Sequence, residues 1–239
     1  KKRLDILLIK KELVKNGGEA LILVGGGRIF ANGQRMISPA QLVDADAKIE
    51  VREERQYVGR GAEKLEAAIQ KFGIETQGKI CADIGSATGG FVEILLDRGA
   101  KRVYAIDTAR GKLDLKLRED SRVVVMEKTD ARDLKTLPER VDLITTDVSL
   151  VSLRQILPAA RRFLKSGGSV VALFKPQYET RDPRHLKHGV IRDSTAREKL
   201  LQDFLAWARE NHWHVVEWIE SPIRGDKGNL EYLIYLKRA

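Results

Sequence analysis

The chain has one cysteine in 239 residues, Cys81, set in the apolar string "KICADIG". A single thiol excludes an internal disulfide framework and fits a reducing compartment such as the cytoplasm. Its apolar setting marks a core thiol rather than a nucleophile. Long apolar runs are also missing. No stretch approaches the ~18–20 residues that a membrane-crossing helix needs, so integral membrane association is not expected. The opening "KKRLDILLIKKELVKNGG" is broken too often by charge to read as a signal peptide. Four histidines, His185, His188, His212 and His214, have no Cys/Asp/Glu cluster to join them, so no metal site is expected. Internal repeats and low-complexity tracts are absent. So are the G-x-G-x-x-G dinucleotide turn and the G-x-x-x-x-G-K-[ST] phosphate loop. The triple glycine at 25–27 is no substitute, because Arg28-Ile29 follows it.

Positive charge is abundant. Lys+Arg number 43 against 34 Asp+Glu, a formal net charge of +9, which favours a polyanionic partner such as nucleic acid. A hydrophobic content of 43% supplies a real core for one large domain, or for a medium domain with a small partner.

Residues 1–55 read as a small α+β unit. A helical stripe with a basic opposite face covers 3–15, and a short helical segment covers 19–24. A strand at 28–31 turns at Asn32-Gly33, a strong hairpin signal, and another strand spans 47–51 before the charged connector "REERQ". From 56 onward the rhythm changes. Strand patterns at 79–85, 102–107, 122–128, 141–147, 169–175, 214–221 and 231–237 mostly alternate with helical ones, which predicts an α/β domain with a mainly parallel sheet. Only "PIRGDKGNL" joins the last two strands, too short for a parallel crossover, so they should close the sheet as an antiparallel hairpin.

The chemistry gathers at strand ends. The first strand runs into "ADIGSATGGF", where Asp83, Gly85, Ser86, Thr88, Gly89, Gly90 and Phe91 form a glycine-rich turn opening a helix. Such a turn lets a ligand approach the backbone closely and aims amide N–H groups at it. Asp107 ends the second strand, where an acid can accept from ribose hydroxyls, and Asp130 follows the third, placed for an adenine. On the substrate side, Asp147 closes "DLITTD", Lys175 closes "VVALFK", Glu231 opens the final strand, and Lys64 lies on the helix before the first. Asp147 and Lys175 end strands expected to neighbour the first, so both should flank one crevice. Lys175 has two readings by itself: a strand that stops while its lysine reaches solvent, or a buried base. Pro176 fixes φ and directs the loop away, holding Lys175 at the rim.

D-x-G-x-x-x-G after the first strand resembles motif I of the S-adenosylmethionine-dependent methyltransferases. Lys64, Asp147, Lys175 and Glu231, in that order, resemble the K-D-K-E tetrad of the FtsJ-like ribose 2′-O-methyltransferases. The strings "YVGRGAEKL", "DIGSATGGF", "TTDVSL", "FKPQYE", "HGVIRD" and "GNLEYLIYL" look still more like the TlyA branch. This resemblance implies a Rossmann-like methyltransferase domain over 56–239, preceded by a small RNA-binding domain over 1–55. It implies S-adenosylmethionine as cofactor and ribosomal RNA, within ribosomal subunits, as partner, with methylation of a cytidine 2′-hydroxyl. Lys175 is then the expected base, with Asp147 and Glu231 orienting it and Lys64 placing the ribose or a phosphate. Lys10, Lys11, Lys15, Arg28, Arg35 and Arg60 are the expected RNA contacts. RNA-binding domains of this type usually carry Ser-Arg where Asn16-Gly17 stands here, which removes one bidentate phosphate donor. Two alternatives remain in view: a catalytically silent RNA-binding or assembly factor, and a hemolysin-like protein whose lytic effect is indirect.

Overall fold

The computed structural model describes residues 1–25, 27–51, 57–180 and 182–238. The connector at 52–56, Gly26, Arg181, and the side chains of Arg35 and Asp226 lie outside the described residues. The chain divides into two compact units, Lys1–Gln56 and Tyr57–Ala239.

In the first unit, helices Leu4–Lys10 and Gly17–Gly25 bury Leu4, Leu7, Leu8, Ala20, Leu23 and Val24 in one core with Ile29 and Met36. The first helix stops short of the expected 3–15. Glu12 takes a left-handed φ of 56°, and the Leu13 N–H donates back to the Leu8 carbonyl at 3.0 Å. This is a Schellman-type stop, which apolar periodicity does not register. Ile29–Ala31 pairs antiparallel with Gln34–Arg35 and Ile49–Val51. Asn32 (φ 50°) and Gly33 (φ 80°) make the two-residue turn with both φ positive, as their sequence predicts. A further pairing, Lys2–Arg3 with Leu42–Val43, has no signal in so short a string.

The second unit carries a seven-stranded sheet: β1 Ile80–Ile84, β2 Arg102–Ile106, β3 Val123–Met126, β4 Val141–Thr146, β5 Leu164–Phe174, β6 Trp213–Glu220 and β7 Tyr232–Arg238. Its order is 6-7-5-4-1-2-3. The strands from β1 to β5 are parallel, and β7 runs antiparallel to β5 and β6. The antiparallel closure expected from the short last connection is therefore present. One neighbour relation differs from expectation: β4 pairs with β1, but β5 lies beyond β4. A connection-length argument does not reveal that swap.

Helices cover both faces. Val171 and Leu173 of β5 join the core built with α1 (Gly61–Phe72) and α2 (Gly90–Asp97). Val170, Ala172 and Phe174 join the opposite core, built with α4 (Leu153–Phe163) and α6 (Ser194–Glu210); α3 (Leu115–Arg118) and α5 (Pro176–Glu179) are single turns. The pleat sends successive side chains to opposite faces, so a strand buried on both reads as the unbroken apolar run "VVALF". On one face Phe174 packs its ring 5.0 Å from Phe204. Asp193 starts α6 by accepting from the Thr195 and Ala196 N–H groups.

Candidate active site

Register brings the chemistry to one edge. Ile84 of β1 and Ala172 of β5 both align with Thr146 of β4, and Phe174 of β5 aligns with Tyr232 of β7. The carboxyl ends of three strands and the amino end of β7 therefore meet, and the next residues along them include Gly85, Asp147, Lys175 and Glu231. Ligands bind at this edge of an open α/β sheet.

The turn after β1 is bent tightly. Gly85 has φ +87°, and a Cβ there would stand 2.6 Å from the Asp147 carbonyl oxygen, so only glycine fits. Gly85 and Ser86 N–H groups donate to the Ile106 carbonyl at 2.8 and 3.2 Å, tying the turn to the end of β2. The Asp107 carboxylate accepts from Ala87 N–H at 2.8 Å and Ala109 N–H at 2.7 Å, bracing this turn against its own. Glu93 of α2 is buried and accepts from Val58 N–H at 2.7 Å and from Lys116, pinning the segment before α1 to the same region.

Two cavities, of about 250 and 260 Å³, share Gly85, Ala87, Asp147 and Ser149. Around the first stand Lys64, Asp83, Ser86, Thr88, Gly90, Phe91, Lys175, Glu231 and Arg60. Around the second stand Asp107 and Asp130. Gly89 lines neither; its left-handed φ of +99° starts α2, with Leu113 and Leu117 too close for any side chain. Lys10, Lys11 and Lys15 are exposed and Arg28 is half-buried, all in the first unit, while the Arg35 side chain is outside the described residues.

The four tetrad residues stand as two ion pairs. Lys175 Nζ lies 2.5 Å from Asp147 Oδ1, and Lys64 Nζ donates to Glu231 Oε2 at 2.7 Å. Glu231 was expected to bear on Lys175, yet its partners are Lys64 and the Gln177 amide, which donates to Oε1 at 3.2 Å. Lys175 also donates to Ser149 Oγ at 3.3 Å and lies 5.9 Å from the centre of the Tyr178 ring. Lys64 and Glu231 are 7% and 2% exposed and Lys175 is 9%, so this charge is held mostly away from water. Gln177 Oε1 is buried without a hydrogen-bond partner among the described residues, an acceptor left over on a cavity-lining side chain.

Asp83 differs from the other acids. Its carboxyl accepts from Thr145 Oγ at 2.6 Å, and burial, with the charges of Asp147 and Asp107 adding, pushes its pKa up to about 8. Asp130 is held by Arg132, whose guanidinium donates to both carboxylate oxygens and keeps the acid below its ordinary range. Ser149, Gln177, Thr145 and Arg132 were not singled out from the sequence. Ser149 and Gln177 each lie two residues past a tetrad member, a signal available only in hindsight.

The model of the FtsJ-like methyltransferase family matches residues 57–238, nearly the whole second unit. Over the whole chain, the "16S/23S rRNA (cytidine-2'-O)-methyltransferase TlyA" of Mycobacterium tuberculosis is 38% identical, covering 98% of this chain and 89% of that protein. The chain belongs to the TlyA branch of the FtsJ-like methyltransferases. "Hemolysin A" of Brachyspira hyodysenteriae is likewise 38% identical, with 98% of each chain covered. A Streptococcus thermophilus protein solved under the name of a hemolysin superposes with a TM-score of 0.78 at 36% identity, covering all of this chain and 88% of that one. An FtsJ-like methyltransferase takes its methyl group from S-adenosylmethionine. The donor set here suits that cofactor: acids line both cavities, matching a ligand that carries an ammonium, a sulfonium and a ribose diol. Among the described residues no helix is long and apolar enough to cross a membrane, and no group of three or more His, Cys, Asp and Glu could hold a metal ion.

Proposed function

We propose that this enzyme methylates a ribose 2′-hydroxyl of ribosomal RNA, that of a cytidine, with Lys175 as general base. The observation carrying this reading is the Lys175–Asp147 pair at the rim of the cavity that begins at the glycine turn. A ribose hydroxyl is a poor nucleophile until its proton is taken. When bound, S-adenosylmethionine supplies a methyl group activated on a sulfonium, which leaves as a neutral thioether. The protein supplies in-line placement and a proton acceptor. Asp147 and Ser149 hold the Lys175 amine at the cavity wall. The hydroxyl proton passes to Lys175 Nζ as the oxygen bonds the methyl carbon, and Asp147 stabilises the ammonium formed. Lys64, fixed by Glu231, presents its remaining N–H donors to the ribose or an adjacent phosphate.

The second cavity would take the adenosine end, with Asp107 for the diol and Asp130 for the adenine. Lys10, Lys11, Lys15 and Arg28 of the first unit and Arg60 at the cavity rim would bind RNA backbone, which suits the net charge of +9. A ribosomal substrate places the protein in the cytoplasm. The test is methyl transfer into isolated ribosomal subunits with the modified nucleotide mapped. Label on a ribose oxygen is expected, and label only on bases would overturn the reading. Lys175→Ala should lower transfer at least a thousandfold while calorimetry shows cofactor affinity unchanged. Near-normal turnover by that variant would remove Lys175 from its role.

A further inference from the structure

Away from the two cavities, four cations converge on one cleft: Arg192, Arg197, Arg224 and Lys227 line a space of about 400 Å³ that no carboxylate lines among the described residues. Elsewhere the cations of this chain are commonly paired; Arg118, Arg122, Arg132 and Arg184 each hold an acid. Here none of the four has an ion-pair partner among the described residues. Neutral groups set them in place instead. Arg197 donates to the Tyr232 hydroxyl at 3.3 Å and the Ile191 carbonyl at 3.4 Å, and Arg224 donates to the Gly228 carbonyl at 3.2 Å. Four like charges held together without a counter-ion repel one another, and a bound anion relieves that repulsion.

The cleft is wired to the active site. Asn229 is buried; its Oδ1 accepts from Ile191 N–H at 3.1 Å and its amide donates to the Gly189 carbonyl at 2.9 Å, joining the two walls. Its own carbonyl accepts from Gly225 N–H at 2.9 Å. Three peptide steps on from Gly228 stands Glu231, the partner of Lys64, at most about 10–11 Å of extended chain away. An anion bound beside Gly228 would therefore sit next to the chain segment that carries Glu231.

We infer that this cleft is a phosphate-binding site for the RNA strand flanking the target nucleotide. Guanidinium groups match phosphate oxygens in pairs, and Arg192 and Arg224 are exposed where a strand could reach them. The inference rests on RNA being the substrate. The test compares the full chain with Arg192→Gln/Arg224→Gln, two exposed positions, in methyl transfer into ribosomal subunits over a range of salt. The KM for subunits should rise about tenfold. The slope of log KM against log salt should fall by about 1, because one phosphate fewer is neutralised on binding. Turnover at saturating RNA and affinity for S-adenosylhomocysteine should hold, which also shows that the variant is folded. Lys79→Gln/Lys101→Gln removes equal charge at the opposite edge of the sheet and should leave the slope alone. Wild-type slope and KM in Arg192→Gln/Arg224→Gln, or equal changes in both double variants, overturn the site while leaving the enzyme's reading intact. No transfer to RNA by the wild-type chain overturns both.

Discussion

Lys175 follows β5, whose last seven residues are all buried, so an unpaired ammonium there would be costly, and Asp147 and Ser149 answer that cost from the neighbouring strand end. Lys64 and Glu231 form a second pair, more deeply buried than the first. Breaking such a pair strands one charge and is expected to cost about 3–5 kcal/mol, whereas replacing both partners by apolar groups is often neutral. Glu231→Leu should accordingly lower stability by roughly that amount in urea unfolding, and Lys64→Met/Glu231→Leu should regain most of it. Both variants should lose methyl transfer. A double variant as unstable as the single would show that the pair is not the dominant contact. Asp147, Lys175 and Glu231 were legible in the chain because each stands at a strand end, and Lys64, on α1, was legible through the resemblance of the four to the K-D-K-E tetrad. Their pairing was not, since Lys64 and Glu231 are 167 positions apart and meet only once α1 packs against β7.

Among the elements, the turn after β1 and the end of β4 behave as one piece. The Asp147 N–H donates to the Ile84 carbonyl at 3.1 Å, while its own carbonyl occupies the space where a Gly85 side chain would go. Gly85→Ala therefore meets both a left-handed φ and a backbone oxygen, neither of which yields cheaply. The expected outcome is a loss of about 1–3 kcal/mol in stability and a larger proportional loss in turnover, because Asp147 is displaced from Lys175. A variant with unchanged turnover would argue that the two loops move independently. Element type followed from periodicity over most of the second unit. Ends did not: β5 begins at Leu164 rather than at 169, because Leu164 pairs with Val141 ahead of an irregular stretch.

For the molecule as a whole, acid and base act on stability in opposite directions. Asp120 and Asp130 are held below their ordinary range by Arg122 and Arg132, so the stability they add is present at neutral pH and is lost as pH falls through their folded values. Asp83 works the other way. Its pKa rises from 3.8 to about 8 on folding, so its stabilising contribution is full below the unfolded value and is lost as pH climbs through the folded one. Glu179, raised by burial, shares that sign. Asp83→Asn keeps an acceptor for Thr145 and carries no charge, so the stability of wild type relative to this variant should decline between about pH 4 and pH 8. Urea midpoints at several pH values measure this; parallel curves for the two proteins would place the buried charge elsewhere.

By itself the sequence determined that the chain is α/β, where the glycine-rich turn lies, which cations and acids end strands, and that positive charge is in excess. These follow from local rules: strand and helix periods, the demand of a tight turn for glycine, and the bare count of charge. Only the tertiary structure decided that Lys175 pairs with Asp147 while Lys64 pairs with Glu231, and that Asp83 keeps its proton near neutrality. It also decided that Arg192, Arg197, Arg224 and Lys227 face one another across a cleft. Pairing and desolvation depend on distances between residues far apart in the chain, and those distances exist only once the sheet has set its strand order.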